Sequence, residues 1–136
     1  MVKPNVQLVR DYFDILAKGN MEALGQLFAD DVVWHQPGKG SLSGVYRGKK
    51  ELFTLLGKIM EISGGSFRID DIRAIMANEN LVTASLHFRA QRKDRQMSMD
   101  GVDLMRIESG QIKEVWLFSG DEDAEDDFWS GTGWRS

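Results

Sequence analysis

The second half of the chain constrains the fold most. Residues 67–77, 81–91, 96–107 and 111–119 form four runs rich in strand-forming residues. The strings between them, Asn78-Glu79-Asn80, Arg92-Lys93-Asp94 and Glu108-Ser109-Gly110, have turn chemistry. Within the second run, Val82, Ala84, Leu86 and Phe88 alternate with Thr83, Ser85, His87 and Arg89. A period of two sends these sets to opposite faces. Four such strands predict a meander with one apolar face, which other elements must cover.

The first half supplies helices. Pro4 suits a first helical turn, and Val6, Val9, Phe13 and Leu16 follow at helical spacing. Gly19 ends that helix and Asn20 can cap a second, carried by Met21, Leu24, Leu27 and Phe28 and expected to end near Asp30-Asp31. Residues 32–36 read as a strand, 37–44 as a glycine-rich loop and 45–47 as a short partner strand. Leu52, Leu55, Leu56 and Ile59 mark a third helix, closed by Gly64-Gly65. The layout is α+β. Its 136 residues match one domain, expected to span 1–136 with an acidic C-terminal segment at 121–136.

Composition removes several functions. Without cysteine there is no disulfide, thiolate metal site or cysteine nucleophile, and only His35 and His87 are available as histidine ligands. No apolar run reaches the ~18 residues of a membrane span, and the N-terminal residues lack a signal-peptide core, so a cytoplasmic protein that avoids membranes is expected. Six acids crowd into 121–127 while no basic stripe exists, so nucleic acid is not an expected partner. The acidic run reads as a solvated helix face, with Ala124, Phe128 and Trp129 as its buried side. Residues 37–41 are glycine-rich but lack the Gly-Lys-Ser/Thr ending of a phosphate loop, so a mouth loop is the better reading.

Several strings carry a family resemblance: Leu27-Phe28-Ala29-Asp30-Asp31, Val33-Trp34-His35 followed by Pro37, residues 44–48, and residues 110–116 ending in Val115-Trp116. With the order of elements, the chain resembles the nuclear transport factor 2-like (cystatin-like) superfamily, which includes ketosteroid isomerases and SnoaL-like polyketide cyclases. The resemblance implies a mixed, mostly antiparallel sheet curled into a cone around a pocket that three N-terminal helices close. It also implies a small apolar ligand, no cofactor, and a homodimer through the outer sheet face.

Ketosteroid isomerases use an aspartate base and an oxyanion hole of a tyrosine and a protonated aspartic acid. The resemblance puts Tyr12 at the tyrosine and Asp103 at the protonated acid. Alternation places Asp103 on one face with Met99, Gly101, Met105 and Ile107, where burial should keep it neutral. The base's position holds Gln36, which accepts no proton near neutral pH but can hydrogen-bond a ligand. Cyclases and limonene epoxide hydrolases carry an acid on the last strand, where this chain has Leu117. Trp34, Gln36, Met99, Met105, Val115 and Leu117 are the expected ligand-facing residues, with Trp129 and Trp134 at the rim. His35 joins them only if a bulge shifts its strand, and His87 is expected on the outer face. Three functions follow: an acid–base isomerase or cyclase acting on an apolar ketone or enone through an enolate, a binding module without chemistry, or an interaction protein using its outer sheet or acidic tail.

Overall fold

The computed structural model describes residues 3–130, so Trp134 lies outside the described residues. Helix α1 (Pro4–Lys18) begins on its proline and ends at Gly19, whose φ of 70° suits a residue without a Cβ. Asn20 starts α2 (Met21–Leu27) through its side chain, which accepts from the Ala23 N–H at 3.1 Å. This helix stops earlier than its sequence implies. Phe28 is already extended and begins β1 (Phe28–Gln36), pairing with Ile112. Burial of Phe28 and Ala29 in the sheet outweighs their helical spacing.

Strand β2 (Gly44–Arg47) returns along β1 and leads into α3 (Gly48–Ile62). The meander follows as β3 (Arg68–Asn78), β4 (Leu81–Gln91), β5 (Gln96–Glu108) and β6 (Gln111–Ser119), and α4 (Glu122–Trp129) closes the order. The strands form one six-stranded sheet in the order β2-β1-β6-β5-β4-β3. Only β1 and β6 run parallel.

The sheet corrects the expected cone. A closed sheet needs every strand paired on both sides, whereas β2 and β3 are here the two open edges. β2 has only four residues and β3 shifts register twice against β4, so neither presents the other with a regular ladder. The pocket therefore lies between one face of an open sheet and the helices. It is also not closed by N-terminal helices alone. α1 packs on β3 and β4, α3 on β1, and the C-terminal α4 on β5.

The covered face holds the core: Val82, Ala84, Leu86 and Phe88 from β4, Met99, Met105 and Ile107 from β5, Ile112 and Val115 from β6. A register shift places Arg106 opposite Glu114 but Ile107 opposite Ile112. Lys113 is the extra residue, so Ile112 and Val115 both point inward although three residues apart. Phe28, Leu24, Leu52 and Leu55 are fully buried, each contributing roughly 1.5–3 kcal/mol by leaving water. Among the described residues no helix is long and apolar enough to cross a membrane.

Candidate functional site

Between α1, α3, α4 and the sheet lies a cavity of about 870 Å³. Its walls are mainly apolar, with Phe13, Leu16, Phe53, Phe67, Leu86 and Phe88 prominent. Tyr12, Gln36, Asp103 and Glu125 are the polar side chains buried in its lining.

Tyr12 is on the inner side of α1, 2% exposed, its ring set edge-on against Phe13 and Phe28. Asp103 sits mid-strand on the covered face of β5, 8% exposed. Among the described residues neither the Tyr12 hydroxyl nor the Asp103 carboxyl has a hydrogen-bond partner in the protein, which is uncommon for buried polar groups. Burial, then the nearby Glu125, pushes the Asp103 carboxyl up to about 7. Burial, then Asp103, pushes the Tyr12 phenol far above its ordinary value, so it stays a donor at neutral pH.

Trp34 and Gln36 face the cavity from the end of β1. The Trp34 Nε1–H donates to Gln36 Oε1 at 3.0 Å. An indole only donates, so this bond fixes the amide's orientation. The Gln36 NH₂ is thereby left as the end able to serve a ligand oxygen.

Glu125 is the buried, cavity-lining acid that sequence reasoning missed. It lies within the acidic run yet is 6% exposed. Ser119 Oγ donates to its Oε1, and Trp129 Nε1–H donates to its Oε2 at 3.2 Å. The spacing Glu125, Phe128, Trp129 is i, i+3, i+4, which puts the acid on the helix face that buries the aromatics; that pattern was the available signal. Burial raises the Glu125 pKa, and the bonds from Ser119 and Trp129 offset only part of that rise. The other acids behave differently. Asp121 caps α4 by accepting from the Ala124 N–H at 3.0 Å, Glu122 and Asp123 are exposed in its first turn, and Asp126 accepts from the Lys39 N–H at 2.9 Å.

That last contact makes the glycine-rich loop a seat for α4. A Cβ on Gly38, whose φ is +92°, would stand 2.1 Å from Asp126 Oδ1. Ser41 Oγ donates to the Trp129 carbonyl at 2.9 Å, and Arg95 Nη1 donates to the Asp127 carbonyl at 2.7 Å. A cation at a helix C-terminus also meets the negative end of the helix dipole favourably.

The remaining expected site residues fall elsewhere. Leu117 lines the cavity, but Met99, Met105 and Val115 are packed in the core outside its wall. Trp129 borders the cavity. His35 points to the other face, where Nε2 meets Glu114 Oε2 at 2.7 Å and the ring stacks on Trp116 at 5.3 Å. His87 is also on the outer face, with Nδ1 2.6 Å from Asp70 Oδ1 and Nε2 2.9 Å from Ser98 Oγ. These distances suit a nucleophile–base–acid relay. Ser98, however, lies near the start of β5, paired with Arg89 of β4, a ladder position rather than a turn or helix N-terminus that would gather N–H groups for an oxyanion. The described residues contain no group of three or more His, Asp or Glu able to hold a metal.

Helices laid over one face of a mixed sheet, with an apolar cavity between them, make this a pocket protein. The chain belongs to the SnoaL-like domain family of the nuclear transport factor 2-like superfamily, whose family model matches residues 9–115. A protein of unknown function with a cystatin-like fold from Xanthomonas campestris is 39% identical, with a TM-score of 0.89 over 92% of this chain and 97% of that one. Bal32a, from a soil-derived mobile gene cassette, shares the fold at 22% identity and a TM-score of 0.88, over 93% of this chain and 96% of its own. An uncharacterized protein of Mycobacterium tuberculosis is 29% identical over 126 residues, 93% of this chain and 96% of that protein.

Proposed function

We propose that this protein is a cofactor-independent acid–base enzyme that enolises a small apolar ketone or enone, as an isomerase or cyclase does. One observation carries this reading: two buried donors, the Tyr12 hydroxyl and the Asp103 carboxylic acid, open onto one apolar cavity without protein partners. A carbonyl oxygen placed between them gains two hydrogen bonds, and an enolate oxygen gains more because its charge is greater. The Gln36 amide adds a third donor. The aromatic walls suit a flat, apolar body.

The test uses β-tetralone, an apolar bicyclic ketone, in deuterium oxide, with NMR following exchange of its α-hydrogens. The wild-type protein is expected to exchange them above the buffer rate. Asp103→Asn and Tyr12→Phe are each expected to slow exchange by about 10²-fold, the usual scale for one oxyanion donor. Equal rates in wild type and both variants would refute the assignment.

A binding module without chemistry is the second reading, favoured by Gln36 and Leu117 standing where related enzymes carry their proton-accepting acids. It predicts that β-naphthol, which mimics the tetralone enolate, binds while β-tetralone exchange stays at the buffer rate. In either case we propose that the outer sheet face joins two copies, because Phe118 and Met76 are 55% and 64% exposed there. Sedimentation of wild type against Phe118→Lys checks this, a monomeric wild type being the refuting result.

A further inference from the structure

We propose that Glu125 on α4 is the general base of this site, working opposite a protonated Asp103. The inference rests on the enolisation reading and names the group that Gln36 and Leu117 cannot replace. Both carboxyls line the same cavity, both are buried, and they come from elements far apart in sequence, β5 and the C-terminal helix. Two like charges sharing a desolvated site do not both ionise at neutral pH; the pair holds a proton.

Geometry decides which member holds it. Glu125 accepts from Ser119 and Trp129, one donor on each oxygen, and such donors favour the ionised form. Asp103 receives no hydrogen bond from the described residues, so nothing offsets its burial. The proton therefore resides on Asp103, which becomes a donor, and the charge on Glu125, which becomes an acceptor. A carboxylate has about four lone-pair sites, so two bonds leave Glu125 room to take a further proton. Two of the other acids on its own helix, Asp126 and Glu122, push its pKa up rather than down, which makes it a better base.

The step balances without a cofactor. Glu125 takes a proton from the carbon beside the carbonyl. The C–H electron pair becomes the C=C bond of the enolate, and the carbonyl π pair moves to oxygen, where the Tyr12 and Asp103 hydroxyls hold it. Glu125 then returns the proton to the same carbon or, in an enone, to a conjugated carbon, and the C=O bond re-forms. Return to the conjugated carbon is a net isomerisation, and return to the same carbon is exchange once the proton on Glu125 has swapped with solvent. α4 is accordingly part of the active site, and the clamp of Asp126 on the 37–41 loop positions its base.

Glu125→Gln keeps the size of the side chain, can accept from Trp129 through its one oxygen while its NH₂ donates to Ser119 Oγ, and cannot take the proton. It is expected to bind β-naphthol within threefold of wild type, by fluorescence titration, and to lose β-tetralone exchange by 10²-fold or more. Its Asp103 is expected to titrate at lower pH, by carboxyl-carbon NMR, because the neighbouring charge has gone. Exchange by wild type that survives in Glu125→Gln would overturn the role of Glu125 and leave enolisation standing. No exchange by wild type would overturn both. Should Glu125→Gln fail to fold, Glu125→Asp serves. Drawing the carboxylate back by one methylene is expected to cut exchange at least tenfold and preserve naphthol binding, and an unchanged exchange rate would count against the proposal.

Discussion

Asp103 gives the protein a pH-dependent weakness that can be measured without any ligand. In the unfolded chain its carboxyl titrates near 3.8, whereas in the fold burial and Glu125 raise it to about 7. Between these values the native state keeps a proton that the unfolded state has lost. Stability must then fall as pH rises through this window and level off above it. The rise from 3.8 to about 7, at about 1.36 kcal/mol per pKa unit, amounts to about 4 kcal/mol. That is a large part of the ~5–15 kcal/mol that holds a typical domain together. Asp103→Asn keeps the shape and removes the titration. Urea unfolding of both proteins from pH ~4 to ~8 supplies the comparison. The stability difference, variant minus wild type, is expected to move by about 4 kcal/mol in the variant's favour across that range. A difference that stays flat with pH would mean that Asp103 is solvated or paired, and the oxyanion role assigned to it would fall with the burial argument.

Other perturbations test the surrounding architecture. Glu114 moves the opposite way: bonds from His35 and Arg106 lower its pKa, so it adds stability above the ordinary glutamate range that disappears as pH falls. Glu114→Gln should therefore flatten the acid limb of the unfolding curve, and an unaltered limb would contradict the pairing. Gly38→Ala forces a Cβ into Asp126 at a positive φ and is expected to cost roughly 1–3 kcal/mol, read by urea midpoint; a neutral outcome would show that the loop does not seat α4. Leu117→Arg, in the cavity wall, should abolish β-naphthol binding, whereas Met105→Leu, in the core behind it, should leave affinity within threefold. The reverse ranking would misplace the cavity.

Much of the frame was legible in local chemistry. The turn strings and the alternation of Val82, Ala84, Leu86 and Phe88 bound β4 at Leu81–Gln91, and residues 111–119 mark β6. Gly19 and Asn20 mark a helix boundary because a left-handed cap and a side-chain cap are properties of single residues. Alternation also placed Asp103 beside Met99 and Met105, since a strand's period needs no knowledge of its neighbours. Pairings beyond the local chain were not available this way. The bulge at Lys113, the early start of β1 at Phe28 and the open order of strands depend on which strand lies beside which.

The candidate site divides along the same line. Asp103 stood out as an acid on an apolar strand face, and Tyr12 and Gln36 through the family resemblance, yet lining the cavity and lying in the core behind it give the same sequence pattern. Leu117 borders the space, while Met99, Met105 and Val115 do not, because only the depth of helix packing separates the two positions. Glu125 shows the limit most clearly. Within a run of six acids its charge looks like that of its neighbours, and its burial is decided by where α4 is seated, through Asp126 on the 37–41 loop and Arg95 on the helix end. The sequence by itself determined the elements, the apolar faces and the identity of the buried acid on β5. Only the tertiary structure decided that a second acid, 22 residues further along the chain, meets it across one cavity, because desolvation and charge coupling depend on distance in space.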